Sequence, residues 1–170
     1  MKEPANRSRP LLLIDVDGVI SLYSFEPDRR PEGAFLTVDG IAHFLSATAG
    51  EHLLALSDVY ELMWCTGWEE KANEYLPHAL GLPNPLPHLR FAGAPAAGAD
   101  HWKLEAIDAH AGPHRAIAWI DDDHAGCEGW AAERPGSTLL VTTEPHTGMT
   151  AAHVAQLAAW ARSLSAAGER

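Results

Sequence analysis

Four short runs of almost entirely apolar residues constrain the fold of this chain more than any other feature. They span residues 11–14, 62–65, 116–120 and 138–141. Strands that are apolar on both faces are typical of a parallel sheet covered by helices on each side. Helix-like patterns alternate with the runs, as right-handed crossovers between parallel strands require. The sequence therefore predicts a three-layer α/β fold.

The expected helices begin at capping residues and end at helix breakers. Asp39 and Thr150 are predicted as N-caps, because their side chains can accept a hydrogen bond from a free backbone N–H. The stretch 81–95 is rich in proline and is interpreted as a surface loop. The predicted helices span residues 39 to about 47, 66 to about 80, 102–110, 124–133, and a last helix from 150.

Length and composition favour one domain, since 170 residues can bury a substantial core. We expect a flexible tail at 1–10 and a single catalytic domain at 11–167. No stretch has the roughly twenty consecutive apolar residues of a transmembrane helix, and the N-terminus lacks the apolar core of a signal peptide. These features predict a cytoplasmic protein without a membrane partner. Cys65 and Cys127 are too few for a disulfide framework, and Cys65 is expected to be buried.

Carboxylates follow the first and third apolar runs, and a hydroxyl follows the second. These side chains are expected to meet, because ligands of parallel sheets bind at the carboxyl ends of the strands. Closely spaced carboxylates repel one another unless a cation lies between them. Mg²⁺ prefers oxygen ligands and commonly accompanies phosphate, and a lysine would add charge for phosphoryl oxygens. The residues are Asp15 and Asp17, then Thr66, then Lys103, then Asp121, Asp122 and Asp123.

The segment 13–19, Leu-Ile-Asp-Val-Asp-Gly-Val, resembles the first motif of the haloacid dehalogenase (HAD) superfamily. Thr66 resembles the second motif, Lys103 the third and Asp121-Asp122 the fourth, in the order of the superfamily. Further segments are similar to the small HAD domains named for the Swiss Army Knife RNA repair proteins, and this resemblance covers most of residues 11–162. It implies a Rossmann-like parallel sheet. The further segments are 64–69, 72–73, 80–83 and 148–150.

The resemblance also implies a role for each matching residue. Asp15 would attack phosphorus and form an aspartyl-phosphate, and Asp17 would serve as general acid and then as general base. Mg²⁺ would be held by Asp15, the main-chain carbonyl of Asp17 and Asp122, with Asp121 in direct or indirect contact. Thr66, Gly67 and Lys103 would bind the phosphoryl oxygens, assisted by backbone N–H groups near Val16, Gly18 and Gly67.

Several alternatives remain open from the sequence. Ser57 could replace Thr66, although it continues a helix-like pattern, and Thr66 could also cap a helix. Lys71 could replace Lys103. Asp123 is interpreted as a helix cap. The ten histidines have no zinc-type spacing, which favours surface and capping roles. Trp68, just after the second motif, and the pair Arg29 and Arg30 are candidates for lining the substrate site.

The spacing between motifs leaves little room for an inserted cap domain. We therefore expect a capless core with a short flap hairpin near residues 20–38, whose tip holds Asp28, Arg29, Arg30 and Pro31.

The expected substrate is a small phosphomonoester such as a nucleotide or sugar phosphate. With 12 Lys+Arg against 23 Asp+Glu, the net charge of −11 argues against nonspecific binding to nucleic acid. The similarity to the HAD domains of Swiss Army Knife RNA repair proteins favours the alternative, a phosphatase that acts on polynucleotide ends. A catalytically idle module that binds a phosphorylated ligand is the alternative from another class. The sequence predicts no oligomeric state.

Overall fold

The structure, a computed structural model, describes residues 9–93 and 101–168. Within those ranges it contains seven strands and five α-helices. The strands are β1 (Leu11–Ile14), β2 (Ser21–Leu22), β3 (Gly33–Val38), β4 (Ile41–Ser46), β5 (Glu61–Trp64), β6 (Ile117–Asp121) and β7 (Thr138–Thr142). The helices are α1 (Ala49–Leu56), α2 (Lys71–Leu80), α3 (Leu104–Ala111), α4 (Glu128–Glu133) and α5 (Ala151–Gly168).

The larger sheet has four strands in the order β5-β1-β6-β7, and all its pairs are parallel. The central strand, β1, pairs Leu13 with Met63 on one side and with Trp119 on the other. Each predicted apolar run is one of these four strands. The predicted parallel sheet is therefore confirmed.

Alternate residues of the central strands belong to two separate hydrophobic cores. Leu12 and Ile14 pack with α1, α2 and α5, whereas Leu11 and Leu13 pack with α3 and the start of α4. All four of these side chains are fully buried. Because both faces of the sheet are covered, its strands need apolar residues at every position, which explains the unbroken runs. The three-layer α/β fold is confirmed.

The predicted helix from Asp39 to about residue 47 is wrong. Asp39 and Gly40 form the turn between β3 and β4, with φ angles of 50° and 81°. An Asp-Gly pair favours such a two-residue hairpin turn, because both positions need positive φ. The next helix, α1, begins only at Ala49.

The flap hairpin exists, but its predicted position is wrong. It spans β3 and β4, and its tip is Asp39-Gly40 instead of residues 28–31. Pro27–Arg29 form a short 3₁₀ helix outside the hairpin. With β2, the hairpin makes a three-stranded antiparallel sheet in the order β2-β4-β3. Within residues 9–93 and 101–168 no separate cap domain is present, so the capless architecture is confirmed for the described chain.

Two predicted helices begin at least a full turn later than expected. The helix expected from Thr66 begins at Lys71, because Glu69 adopts a φ of 49°, which no α-helix can contain. The helix expected from His124 begins at Glu128, after Gly126 with a φ of 77°. Asp123 therefore does not cap that helix. Its carboxylate accepts a hydrogen bond from the Ala125 N–H within the preceding loop, over 2.9 Å.

The Pro-rich loop that follows α2 is fastened to the sheet by Asn73. The side-chain amide of Asn73 exchanges two hydrogen bonds with the backbone of Leu86, of 2.7 and 3.0 Å. Its oxygen also accepts the indole N–H of Trp64, at 3.0 Å. The loop pairs with β5 around His88, where the Trp64 N–H donates to the Pro87 carbonyl and the Leu89 N–H donates to the Trp64 carbonyl. Residues 94 and 95 of the predicted loop lie outside the described residues.

Both cysteines are buried, as expected for Cys65. Across residues 9–93 and 101–168, no helix combines the length and apolarity that crossing a membrane requires. The predicted tail at 1–10 lies outside the described residues as far as residue 8.

Candidate active site

Four motif residues lie at one edge of the sheet, three of them at the carboxyl ends of parallel strands. Asp15 directly follows β1, Thr66 lies two residues after β5, and Asp121 is the last residue of β6. Lys103, at the start of α3, reaches the same edge. Each of the four residues is less than a tenth exposed. The site is therefore a buried polar cluster between the two hydrophobic cores.

Lys103 is the positive centre of this cluster. Its Nζ donates a hydrogen bond of 2.6 Å to Oδ2 of Asp121 and lies 3.1 Å from Oδ1 of Asp15. Burial alone would lower the pKa of Lys103, but the facing acidic groups, Asp15 foremost, outweigh burial and raise it. For Asp15, burial raises the pKa to about 7, although the nearby Lys103 opposes this shift. A second cation would favour the ionised form of Asp15 further.

Carboxylate oxygens of Asp15, Asp121 and Asp122 lie within 4.8 Å of one another. In the part of the chain that the structure describes, this is the one group of three or more such side chains close enough to share a metal ion. Hard divalent cations such as Mg²⁺ take carboxylate oxygens as ligands, and a cation would relieve the repulsion among these groups. The residues present therefore fit Mg²⁺.

The three carboxylates are not equivalent. Both oxygens of Asp121 already accept hydrogen bonds, Oδ2 from Lys103 and from the indole of Trp119 (3.0 Å), and Oδ1 from the Asp123 N–H (3.1 Å). This favours Asp122 over Asp121 as a direct metal ligand. Asp121 instead holds Lys103 in place.

Asp17 lies at the open side of the site, with about half of its side chain exposed (51%). Its Oδ2 accepts a hydrogen bond of 2.9 Å from the indole N–H of Trp68. Its Oδ1 lies 3.6 Å from Nδ1 of His43, a residue of the flap hairpin. That Nδ1 also lies 3.1 Å from Oγ of Ser21, in β2. The three-stranded sheet β2-β4-β3, called the flap sheet below, and the turn after β5 thus meet at the carboxylate of Asp17.

Asp122 also contacts the segment that follows the first motif. The hydroxyl of Tyr23 donates a hydrogen bond of 2.6 Å to its Oδ2. This bond is the main reason that the pKa of Tyr23 is raised to about 12. The backbone of Gly18 passes so close that a Cβ there would lie 2.6 Å from the Asp122 side chain. The hydroxyl of Thr143 donates a hydrogen bond of 2.8 Å to the Gly18 carbonyl, which holds this backbone in place.

Thr66 and Gly67 follow β5, which pairs with β1, so they lie at the same edge of the sheet as Asp15. Oγ1 of Thr66 accepts a hydrogen bond of 3.3 Å from the Trp68 N–H, and the hydroxyl keeps its own hydrogen for a ligand. The Val16 N–H hydrogen-bonds Asp15. The Gly18 N–H donates to the Ser21 carbonyl over 2.7 Å, so it is engaged in a turn rather than turned toward a ligand.

Other residues considered from the sequence lie away from this cluster. Ser57 follows α1, at the opposite edge of the sheet, and its hydroxyl donates to the Leu54 carbonyl. Lys71 pairs with Asp39 at the tip of the hairpin. Arg29 and Arg30 are exposed, and among the described residues neither forms a hydrogen bond or ion pair with the cluster. The guanidinium of Arg30 lies instead over the ring of Phe44, at 5.8 Å.

Four residues at the site are not predicted from the sequence, and three of them lie in the segment 21–43. The helix predicted from Asp39 occupies the residues that form β4, the strand that carries His43. The Asp39-Gly40 pair was the signal that could have placed it, since this pair marks a hairpin. The four residues are Ser21, Tyr23, His43 and Thr143.

A groove of about 410 Å³ extends from Trp68 and His43 along the start of α2. Four acidic residues line it, and its one lysine, Lys71, is paired with Asp39. The mouth of the site on this side therefore carries a negative charge. The acidic residues are Asp39, Glu69, Glu70 and Glu74.

Comparison with known protein families gives a match over most of the chain. No curated protein matches the chain. A protein family described as the HAD domain in Swiss Army Knife RNA repair proteins matches residues 11–154, which is most of the chain. The matched segment contains β1 to β7 and every residue of the buried cluster. The chain therefore belongs to the family of HAD domains found in Swiss Army Knife RNA repair proteins.

Proposed function

We propose that this protein is a Mg²⁺-dependent phosphomonoester hydrolase that acts through an aspartyl-phosphate on Asp15. Membership in the HAD family indicates a hydrolase of the phosphatase type. The 3.1 Å contact between Asp15 and Lys103 carries the proposal for this chain. A buried carboxylate beside a fixed positive charge suits attack at phosphorus, because the lysine stabilises the negative charge of the phosphoryl group.

The proposed reaction has two steps. In the first, a carboxylate oxygen of Asp15 forms a bond to phosphorus while the bond from phosphorus to the leaving oxygen breaks, and Asp17 gives its proton to that oxygen. In the second, a water molecule attacks phosphorus, Asp17 takes a proton from the water, and the bond to Asp15 breaks. Inorganic phosphate leaves, and both aspartates return to their starting states.

Asp15 and Asp122 would hold Mg²⁺ with the main-chain carbonyl of Asp17. The ion supplies positive charge next to the phosphoryl oxygens. Thr66 and Lys103 would hold those oxygens from the other side, and Asp121 would keep Lys103 charged and oriented. This set is supported by carboxylate oxygens of Asp15, Asp121 and Asp122 that lie within 4.8 Å of one another.

An assay with 4-nitrophenyl phosphate tests the proposal directly. We expect Mg²⁺-dependent hydrolysis that EDTA abolishes and that added Mg²⁺ restores. Asp15→Asn should lower kcat by about 10³-fold or more, since an amide is a poor nucleophile, and Asp17→Asn should lower it nearly as far.

Asp58→Asn is the matched control for these variants. Asp58 is exposed between α1 and β5, at the edge of the sheet opposite the site. It should keep the wild-type rate. If Asp15→Asn also kept the wild-type rate, the aspartyl-phosphate mechanism would be wrong.

We favour a small phosphomonoester as the substrate. The net charge of −11 and the acidic groove beside Asp17 both disfavour a polyanion near the site. The second candidate is the phosphorylated end of a polynucleotide, because the matching family is described by its occurrence in RNA repair proteins. A site without a cap domain is also open enough for a large substrate.

A kinetic screen separates these two substrate classes. It compares kcat/KM for nucleotide and sugar phosphates with that for oligonucleotides phosphorylated at the 3′ or 5′ end. If an oligonucleotide end exceeds every small compound by more than about tenfold, roughly 1.4 kcal/mol of transition-state preference, the small-substrate proposal fails.

A further inference from the structure

Asp17 is held by residues from outside its own motif. Half of the side chain is exposed, so packing alone orients its carboxylate little. The indole N–H of Trp68 fixes Oδ2 through a hydrogen bond of 2.9 Å. A hydrogen bond to a carboxylate is charge-assisted and directional, so it selects one orientation of the carboxylate.

We propose that Trp68 is a positioning residue that holds Asp17 in the orientation needed to transfer protons. This inference rests on the function proposed above, in which Asp17 is first an acid and then a base. It differs from the sequence expectation that Trp68 lines the substrate site, because it assigns the role to the indole N–H and not to the face of the ring.

Trp68 is itself held on two sides, which makes it suitable for this role. Its backbone N–H donates to Thr66 Oγ1, so its position is tied to the phosphate-binding turn. Its ring meets the ring of His43 edge to face, with the centroids 4.6 Å apart. His43 is held in turn by Ser21, at 3.1 Å. The indole is therefore fixed between the second motif and the flap sheet.

His43 supports Trp68 and makes no strong bond of its own to Asp17. Its Nδ1 lies 3.6 Å from Oδ1 of Asp17, which is too long for a hydrogen bond. The ring of His43 packs instead against the indole of Trp68. Trp68 thus supplies the directional contact, and His43 supplies the packing that keeps the indole in place.

The two steps depend on Asp17 differently for different leaving groups, and this dependence makes the inference testable. An alkoxide must be protonated as it leaves, so formation of the aspartyl-phosphate from an alkyl phosphate needs Asp17. 4-Nitrophenolate leaves without a proton, so this step needs Asp17 little. Hydrolysis of the aspartyl-phosphate needs Asp17 as a base whatever the substrate was.

The experiment compares Trp68→Phe, which keeps an aromatic ring and removes the N–H, with the wild type on two substrates. For glycerol 2-phosphate we expect kcat/KM to fall by about tenfold. For 4-nitrophenyl phosphate we expect kcat/KM to stay within about twofold while kcat falls, because kcat also includes hydrolysis of the aspartyl-phosphate. In an Asp17→Asn background, Trp68→Phe should have no further effect.

Trp130→Phe is the matched control, because the indole of Trp130 donates a 2.9 Å hydrogen bond to Asp108, outside the site. This variant should leave kcat and kcat/KM unchanged for both substrates. His43→Leu is a second variant, which removes the ring that packs against Trp68. It should lower kcat/KM for glycerol 2-phosphate, as Trp68→Phe does. Thermal melting curves check that all variants fold.

Three results would overturn the inference. Trp68→Phe could behave like Trp130→Phe, it could lower kcat/KM equally for both substrates, or it could raise KM alone, as a wall of the substrate site would. Failure of the proposed function gives a different pattern, in which the wild type is inactive or Asp15→Asn retains activity.

Discussion

At the scale of single residues, the backbone of Gly18, in the turn after β1, lies against the side chain of Asp122, which follows β6. Gly18 has a φ of 79°, and a Cβ at this position would lie 2.6 Å from the side chain of Asp122. Thr143 holds the Gly18 carbonyl from the end of β7. Glycine is therefore needed here both for its backbone conformation and for the space that it leaves to Asp122.

We expect Gly18→Ala to lower the free energy of unfolding by about 1–3 kcal/mol, because alanine is strained at positive φ. Hydrolysis should fall by at least about tenfold as well, since the methyl group displaces Asp122. Chemical denaturation and the 4-nitrophenyl phosphate assay measure the two effects. Gly81→Ala is the matched control, since Gly81 has a φ of 69° with open space around its Cβ.

Gly81→Ala should also lower the free energy of unfolding, because alanine is strained at positive φ, and it should leave the rate of hydrolysis unchanged. An equal loss of activity in both variants would mean that Gly18 contributes through stability alone.

At the scale of elements, the start of α5 shows how a histidine takes part in capping. Nδ1 of His153 accepts a hydrogen bond of 3.0 Å from the backbone N–H of Thr150, the residue that precedes the helix. The bond needs a neutral imidazole, because a protonated ring has no free acceptor. Burial, and next the nearby His52, lower the pKa of His153. The expectation of capping roles for some histidines is therefore supported at this position.

We expect the protein to lose stability through His153 as the pH falls below about 6.5, the ordinary histidine pKa. The unfolded state then binds a proton that the folded state binds only at lower pH. The measurement is the urea midpoint at pH 7.5 and pH 5.5 for wild type and His153→Gln. The variant should show the smaller decrease, whereas His110→Gln, at an exposed histidine, should match the wild type.

The strands of the parallel sheet could be predicted because burial on both faces leaves a direct mark on the sequence. The flap hairpin was predicted at the wrong position, because Asp39 can cap a helix as well as form a hairpin turn with Gly40. The positive φ angles at Asp39 and Gly40 show that the two residues form the turn. The contact between Asp17 and His43 could therefore not be predicted, since it depends on where β4 places His43. Residues at the strand ends of the parallel sheet could be placed from sequence, whereas residues on the flap depend on which interpretation of Asp39 is chosen.

At the scale of the whole molecule, charge is distributed unevenly. The chain has a net charge of −11, yet Lys103 places a positive charge next to Asp15 and Asp121, in contact with both carboxylates. The acidic groove lies beside Asp17 at the entrance. An arrangement of this kind repels extended polyanions and attracts a metal cation. This distribution of charge supports the small phosphomonoester proposed above over the end of a polynucleotide.

The alternative of a catalytically idle module can be tested on the whole protein by thermal melting. Beryllium fluoride forms a phosphate-like adduct on a reactive aspartate, and the adduct needs Mg²⁺ and a complete site. A ligand that binds only the folded state raises Tm. We expect Mg²⁺ with beryllium fluoride to raise the Tm of the wild type by several degrees more than Mg²⁺ alone. Asp15→Asn should lose this extra shift, because it lacks the carboxylate oxygen that forms the adduct, and Asp58→Asn should keep it. An idle module that binds phosphate without forming a bond to Asp15 would instead melt at the same temperature with beryllium fluoride present or absent.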